Sequence, residues 1–347
     1  MRIYLVGGRV RDELMGRSPG GDRDFVVIGA TEEEFLRRFP RARKVGRRYP
    51  VYLVGRDEYV LSPYSSIEED LSSRDLTINA VARDDKGRLF AHPLALHDLE
   101  KGLLRPISRK NFERDPLRVY RAARFAALFP GFSISPTLIE VIAEVGSCGS
   151  LMKTIPRERV AREFLKALSS PSPSRFFDLL INNRATAFFM EEIEGKIEGD
   201  ALSLIDALAG DEMGVWLAFC CYFLCSYQRS FTCVEERLLS LVKGIGLPRR
   251  FVRATRVFLR YYLWGKGFSC LPARERVELL LSLSSLHLEV PFFRVMEHLT
   301  GEEMLLRAER EIEIIRSVHL PPCFRDLGPG AGKVLREMQA DALERLS

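Results

Sequence analysis

The chain has 347 residues, 46% hydrophobic and 29% charged, a balance that fits a folded globular protein and excludes disordered and fibrous classes. Its 52 basic residues exceed its 47 acidic ones by only 5, which excludes a uniformly basic, histone-like binder. Ten of the 52 are lysines and 42 are arginines, the residue whose planar fork suits phosphate and base edges, although arginine-rich codon usage gives the same excess.

The chain opens on a strand-like run, Ile3–Val6, so no signal peptide is expected. Further strands are predicted at Phe25–Ile28, Val51–Val54 and Tyr59–Leu61, and helices at Val10–Met15 and Thr31–Arg38, the second with Thr31 and Glu34 spaced as a capping box. After about Asp115 the periodicity becomes helical, with breaks at Pro130, Pro136, Pro156 and Ser169–Ser174. No proline occurs from Arg175 to Leu247, which fits several packed helices; Gly244, Gly246 and Pro248 then mark a break. A helical segment follows from Glu302 to about Val318, and a loop through Gly328–Gly332 precedes a last short helix. The most apolar stretch, Val215–Leu224, falls short of the roughly 18 residues of a membrane span. Seven cysteines without a C-x-x-C pair, beside five histidines, fit reduced thiols of a cytoplasmic protein better than a disulfide framework or a zinc site. Cys220, Cys221 and Cys225 are expected in helical core. The expected fold class is α+β, a mixed α/β head followed by an all-helical body and tail.

Two constellations carry chemistry. An apolar strand runs into Gly7-Gly8 and then into a helix bearing Arg11, an arrangement that lets a phosphate approach backbone N–H groups. Downstream, Asp22 and Asp24 are placed i and i+2 on a strand, so both carboxylates project to one side. Such a pair suits two divalent cations about 3.5–4 Å apart, and hard cations such as magnesium prefer oxygen ligands. Alone, D-x-D is more often a solvated turn.

Together these residues resemble motif A of the class II tRNA nucleotidyltransferases, a family shared with bacterial poly(A) polymerases: G-G-x-V-R-D followed by D-x-D on a strand. Ser73–Ala80 resembles motif B, and Asp115-Pro116-Leu117-Arg118 with Arg121, Arg124 and Phe125 resembles motif D. Pro156-Arg157-Glu158-Arg159 with Glu163 and Lys166 resembles the helical motif that follows, so the likeness covers roughly residues 1–190. It implies a nucleotidyltransferase head over 1–110, a base-recognition neck over 111–190 and a helical body and tail for tRNA over 191–347. It further implies that Asp22 and Asp24 hold magnesium, with Glu58 as the third carboxylate. Gly7, Gly8, Arg11, Arg74 and Arg121 would serve the nucleotide's phosphates and sugar. Asp115 and Arg118 would offer acceptor and donor edges to the incoming base, as i and i+3 positions of one helix. The implied reaction is attack of a tRNA 3′-hydroxyl on the α-phosphate of CTP, with ATP as a second nucleotide, pyrophosphate as leaving group, and neither DNA nor a membrane involved.

Three departures refine this. Motif B begins Ser73-Arg74 where the family has two arginines. Arg114 stands where motif D has a glutamate that fixes the base-reading arginine, with Glu113 displaced by one. Glu58 to Leu71 spans only 14 residues, so the polar flexible loop that full CCA-adding members carry there is expected to be missing, as in members that add only CC. The alternatives are a full CCA-adding enzyme, an A-adding enzyme or poly(A) polymerase and, from another class, a non-catalytic RNA-binding protein on this scaffold. His97-Asp98 is read as structural. Arg249, Arg253, Arg256 and Arg260 fall on one helical face able to grip an RNA backbone or simply to be solvated, and Arg41–Arg48 forms a second basic cluster.

Overall fold

The protein is described by a computed structural model covering residues 1–18, 23–46, 50–186, 196–226, 231–321, 324 and 329–345. The chain forms two compact units, Met1–Ile155 with Asn183–Ala185, and Pro156–Asn182 with Thr186–Ser347.

The first unit is built on one sheet. Its strands are β1 (Arg2–Val6), β2 (Arg23–Ile28), β3 (Arg43–Val45), β4 (Val51–Val54), β5 (Asp57–Leu61), β6 (Val81–Arg83) and β7 (Leu89–Ala91), in the order β3-β4-β5-β2-β1-β6-β7. Neighbours run antiparallel except β2 and β5, which are parallel. Side chains alternate along each strand, so one face carries Val27, Tyr52 and Tyr59 and the other Tyr4, Val6, Val26 and Ile28. The first face packs Phe35 of α2 (Glu32–Arg38), and Leu5 and Val81 pack there on Val10 of α1 (Gly8–Leu14). The second is covered by Ile67 and Leu71 of α3 (Ile67–Ser72). The Thr31/Glu34 capping box is present, with both reciprocal bonds made. Helices α4 (Ala95–Lys101), α5 (Arg109–Arg114), α6 (Arg118–Leu128), α7 (Pro136–Gly146) and α8 (Gly149–Met152) follow, with a small parallel pair, Leu103–Leu104 and Ser133–Ile134, between them.

The second unit is helical among the described residues: α9 (Arg157–Leu168), α10 (Ser174–Ile181), α11 (Gly199–Ala207), α12 (Glu212–Ser226), α13 (Phe231–Ile245), α14 (Arg249–Lys266), α15 (Ala273–Ser284), α16 (Glu289–Thr300), α17 (Leu305–Ser317) and α18 (Pro329–Glu344). The α+β expectation therefore holds. Gly244 lies inside α13, and only Gly246, at φ 82°, ends it. The last helix is longer than expected and swallows most of the anticipated loop: Pro329 opens it, where a missing N–H costs nothing. No described helix is long and apolar enough to cross a membrane.

The core of this unit is α12, buried from Gly214 through Phe223. Phe219 stacks on Phe177 at 4.5 Å, and the Trp216 indole N–H donates to Thr255 at 3.0 Å. Cys220 and Cys221 fill core as expected, but Cys225, one turn further on, is exposed beside the Tyr262 hydroxyl at 3.9 Å. Helices α14 and α16 approach closely at Gly265: a Cβ there would stand 2.6 Å from the Phe292 ring and 2.8 Å from the Met296 sulfur. Alanine gains about 1 kcal/mol of helix propensity, but overpacking costs about 1–3 kcal/mol, and the Phe292 ring is boxed in by Phe258 and Phe293. Gly265→Ala is therefore expected to lower the thermal midpoint by several degrees, read by calorimetry.

Candidate active site

Gly7 ends β1 at φ 70°, ψ −130°, a conformation that only glycine adopts without strain. Its N–H is bonded to the Val81 carbonyl at 3.1 Å, and the Arg74 guanidinium lies 3.4 Å from where a Cβ would be. The glycine turn and motif B thus meet.

The rungs between the parallel strands β2 and β5 hold the clearest electrostatic signal. Arg23 faces Asp57, and the guanidinium donates twice to the carboxylate, at 2.7 and 2.6 Å. On the next rung Asp24 is paired in register with Glu58, on the opposite face of the sheet. Adjacent strands lie about 4.8 Å apart, so two exposed carboxylates stand side by side. Like charges directly opposite each other are destabilising, and Glu58 has no ion pair among the described residues. Carboxylate oxygens are the ligands that hard cations prefer, so Asp24 and Glu58 are residues that would hold a divalent metal, which would supply neutralising charge there. Asp22 lies outside the described residues, and among those described no group of three or more acidic, His or Cys side chains is arranged to hold a metal.

The arginines are organised around a buried carboxylate, Asp75, which sequence reasoning passed over. Its Oδ1 accepts from the Leu76 N–H at 2.8 Å and the Asn79 amide at 3.1 Å; its Oδ2 accepts from Arg121 Nε at 2.8 Å. Asn79 in turn accepts from Arg11 at 2.7 Å. Burial pushes the Asp75 carboxyl up, but Arg121, these N–H donors and Arg118 outweigh it and hold the group well below the usual carboxylate range. Arg11 is only 5% exposed, bonded to Asp12 at 2.9 Å and placed over the rings of Phe125 and Phe129. Burial lowers its pKa, partly offset by Asp12. Arg118 donates to the Ser73 carbonyl at 2.7 Å; burial lowers its pKa too, against the pull of Asp75 and Asp115. Asn111 closes the assembly, donating to the carbonyls of Ser72 and Arg74.

Two expectations about motif D change. Asp115 and Arg118 do not share one helix: Asp115 sits at φ −136°, ψ 87°, where α5 ends, and α6 begins at Arg118. The cause is Pro116, which disfavours the helical region for the residue before it. The turn brings them together through the Arg118 N–H, which donates to the Asp115 carbonyl at 3.0 Å. Glu113, the displaced glutamate, pairs with Arg109 at 2.8 Å, and the Ser73 carbonyl holds Arg118.

The connection from β5 to α3 is residues 62–66 only. His97-Asp98 is tied into the fold: Asp98 is fully buried and accepts from Thr77 at 2.7 Å and from Arg105 at 2.9 and 3.1 Å. In the other unit, Arg249, Arg253, Arg256 and Arg260 are all exposed on α14; Arg260 pairs with Glu278 at 2.9 Å and Arg256 loosely with Glu235 at 3.9 Å.

The mixed sheet with its glycine turn and paired strand carboxylates, followed by helices, is the architecture of a nucleotidyltransferase head with helical domains. Residues 3–56 match the poly A polymerase head domain, and residues 131–196 match the probable RNA and SrmB-binding site of polymerase A. These matches support the resemblance to the class II tRNA nucleotidyltransferase and poly(A) polymerase family over the head and the following helices. It is 37% identical over 228 residues to the CCA-adding enzyme of Coxiella burnetii, covering 60% of this chain and 59% of that protein. The chain thus matches less than two thirds of that curated relative's length. Among solved structures it resembles a tRNA-processing enzyme with CTP (25% identity, TM-score 0.67, 98% of this chain and 96% of that one). It also resembles a tRNA nucleotidyltransferase complexed with a primer tRNA and an incoming ATP analog (27% identity, TM-score 0.61, 92% and 97%).

Proposed function

We propose that the protein is a template-independent tRNA 3′-end nucleotidyltransferase that transfers CMP from CTP and stops after CC. The nucleotidyl-transfer reading is supported by the Asp24–Glu58 rung beside the glycine turn and the arginine assembly. Asp22, Asp24 and Glu58 would hold magnesium, which supplies charge neutralisation on the triphosphate and a more acidic 3′-hydroxyl. Gly7, Gly8, Arg11, Arg74 and Arg121 serve the nucleotide, Arg11 and Arg121 largely by shaping the site from inside it. Asp115 and Arg118 face the base. Functionally the chain divides into a head over 1–110, a neck over 111–190 and a body and tail over 191–347, working on tRNA in the cytoplasm.

The CC-only reading rests on one observation, the connection of residues 62–66, which leaves no length for a flexible loop between the Glu58 strand and motif B. Incubation of tRNA ending at its discriminator base with CTP and ATP is expected to yield products two nucleotides longer, ending in CC. Efficient terminal A addition overturns the CC-only reading and favours full CCA addition, the activity named for the Coxiella burnetii relative.

The α14 stripe is assigned to RNA phosphates. Arg253→Ala with Arg256→Ala is expected to weaken tRNA binding several-fold and to flatten its dependence on salt, measured by filter binding from about 50 to 200 mM salt. Unchanged affinity refutes the assignment.

A further inference from the structure

Ser62 stands at the start of the short connection and is tied to two parts of the head. Its N–H continues the ladder by donating to the Val27 carbonyl of β2 at 2.9 Å, and its hydroxyl donates to Asp70 Oδ1 at 2.9 Å. The other oxygen of Asp70 accepts from Arg74 Nε at 3.3 Å and Nη2 at 3.1 Å. The remaining nitrogen, Nη1, donates to the Asn79 carbonyl at 3.3 Å and is the atom lying against the Gly7 turn. A chain of contacts therefore runs from the strand pair that carries Asp24 and Glu58, through the connection, to the guanidinium beside the glycine turn. The hydroxyl reaches Asp70 because only residues 62–66 separate strand from helix. Arg74 has five N–H donors; these bonds take three and leave two for oxygen atoms of a nucleoside triphosphate.

We propose that Ser62 and Asp70 are positioning residues, which fix Arg74 against the Gly7 turn so that the short connection itself sets the shape of the triphosphate site. This rests on the nucleotidyltransferase reading. Asp70, with both oxygens engaged by Ser62 and Arg74, acts by holding a rotamer-rich side chain ready, so its loss raises the entropic cost of nucleotide binding. That cost falls equally on ground and transition states, and appears in KM rather than kcat.

The test is steady-state CMP incorporation by the full chain on tRNA ending at its discriminator base, with thermal midpoints measured in parallel. Ser62→Ala is expected to raise KM for CTP about five- to tenfold with kcat within about twofold, and Asp70→Ala to raise it further. Ser62→Thr, which keeps the hydroxyl, is expected to restore the wild-type KM. A wild-type KM in both alanine variants, a Thr variant as impaired as the Ala variant, or losses confined to kcat overturn the relay while leaving the enzyme reading intact. Failure of the wild-type chain to incorporate any nucleotide or to bind CTP overturns both.

Discussion

Asp24→Ala is expected to lower CMP incorporation by about a thousandfold or more while tRNA affinity and thermal stability stay near wild type. The carboxylate stands beside Glu58 across a parallel strand pair, on a rung where the sheet gains nothing from two like charges. The side chain is exposed, so its removal is expected to change stability by no more than about 0.5 kcal/mol. On the proposed reading, what is lost is one of the oxygens that would hold magnesium, and with it the placement of charge opposite the reacting phosphate. Loss of a single preorganised electrostatic contact costs about a hundred- to a thousandfold in kcat, and a metal ligand belongs at or above the upper end. Incorporation of labelled CMP and tRNA filter binding on the same preparation separate the two effects. Activity within tenfold of wild type would remove Asp24 from the reaction. Loss of tRNA binding together with activity would point instead to a damaged fold. An RNA-binding protein without catalysis predicts no incorporation by the wild-type chain at all.

The second large effect is on stability. Asp75→Ala removes the acceptor shared by Leu76, Asn79 and Arg121 and leaves a buried hole among donors. Breaking a fully buried ion pair costs about 3–5 kcal/mol. Arg121 is about one third exposed and can turn to water, so about 2–4 kcal/mol is expected here, or a fall of about 5–15 °C in the midpoint of the unit that carries it. The pH dependence follows from the direction of the shift. The folded-state carboxyl titrates below the unfolded value of about 3.9, so its stabilisation is complete above about pH 5 and is lost as pH falls through the acid range. The gap between wild type and Asp75→Ala in urea midpoints should therefore be constant from pH 5 to 8 and shrink below about pH 4. A gap independent of pH down to 3 would mean that Asp75 acts through packing and not through its charge.

Much of this site was legible because its residues sit on regular elements. The strand–glycine–helix run of motif A and the alternation around Asp24 and Glu58 follow from periods of 2.0 and 3.6 residues, which local sequence carries. The Asp24–Glu58 pairing is different: parallel strands 34 residues apart set it, and no local pattern announces that register. Asp75 and Asn79 lie within motif B, where no local pattern announces their task. Their signal was polar residues embedded in the apolar run around Leu76 and Ile78, which requires buried partners; those partners, Arg11 and Arg121, lie far away in sequence. The Asp115–Arg118 geometry was misjudged for a local reason, since helical spacing was applied across a proline.

Helix α12 has a consequence for how the chain is made. Its residues Gly214–Phe223 are covered from every side, with α9, α11, α13, α14 and α16 around it, so it has no face that water can solvate. The last of these neighbours, α16, ends at Thr300. During synthesis this segment leaves the ribosome well before its final cover does, and at about 5–20 residues per second it waits several seconds as bare apolar surface. Apolar surface exposed in this way is aggregation-prone until its cover arrives. A chain that terminates early, between α12 and α16, would keep that surface exposed and be a substrate for degradation, however well its head has folded.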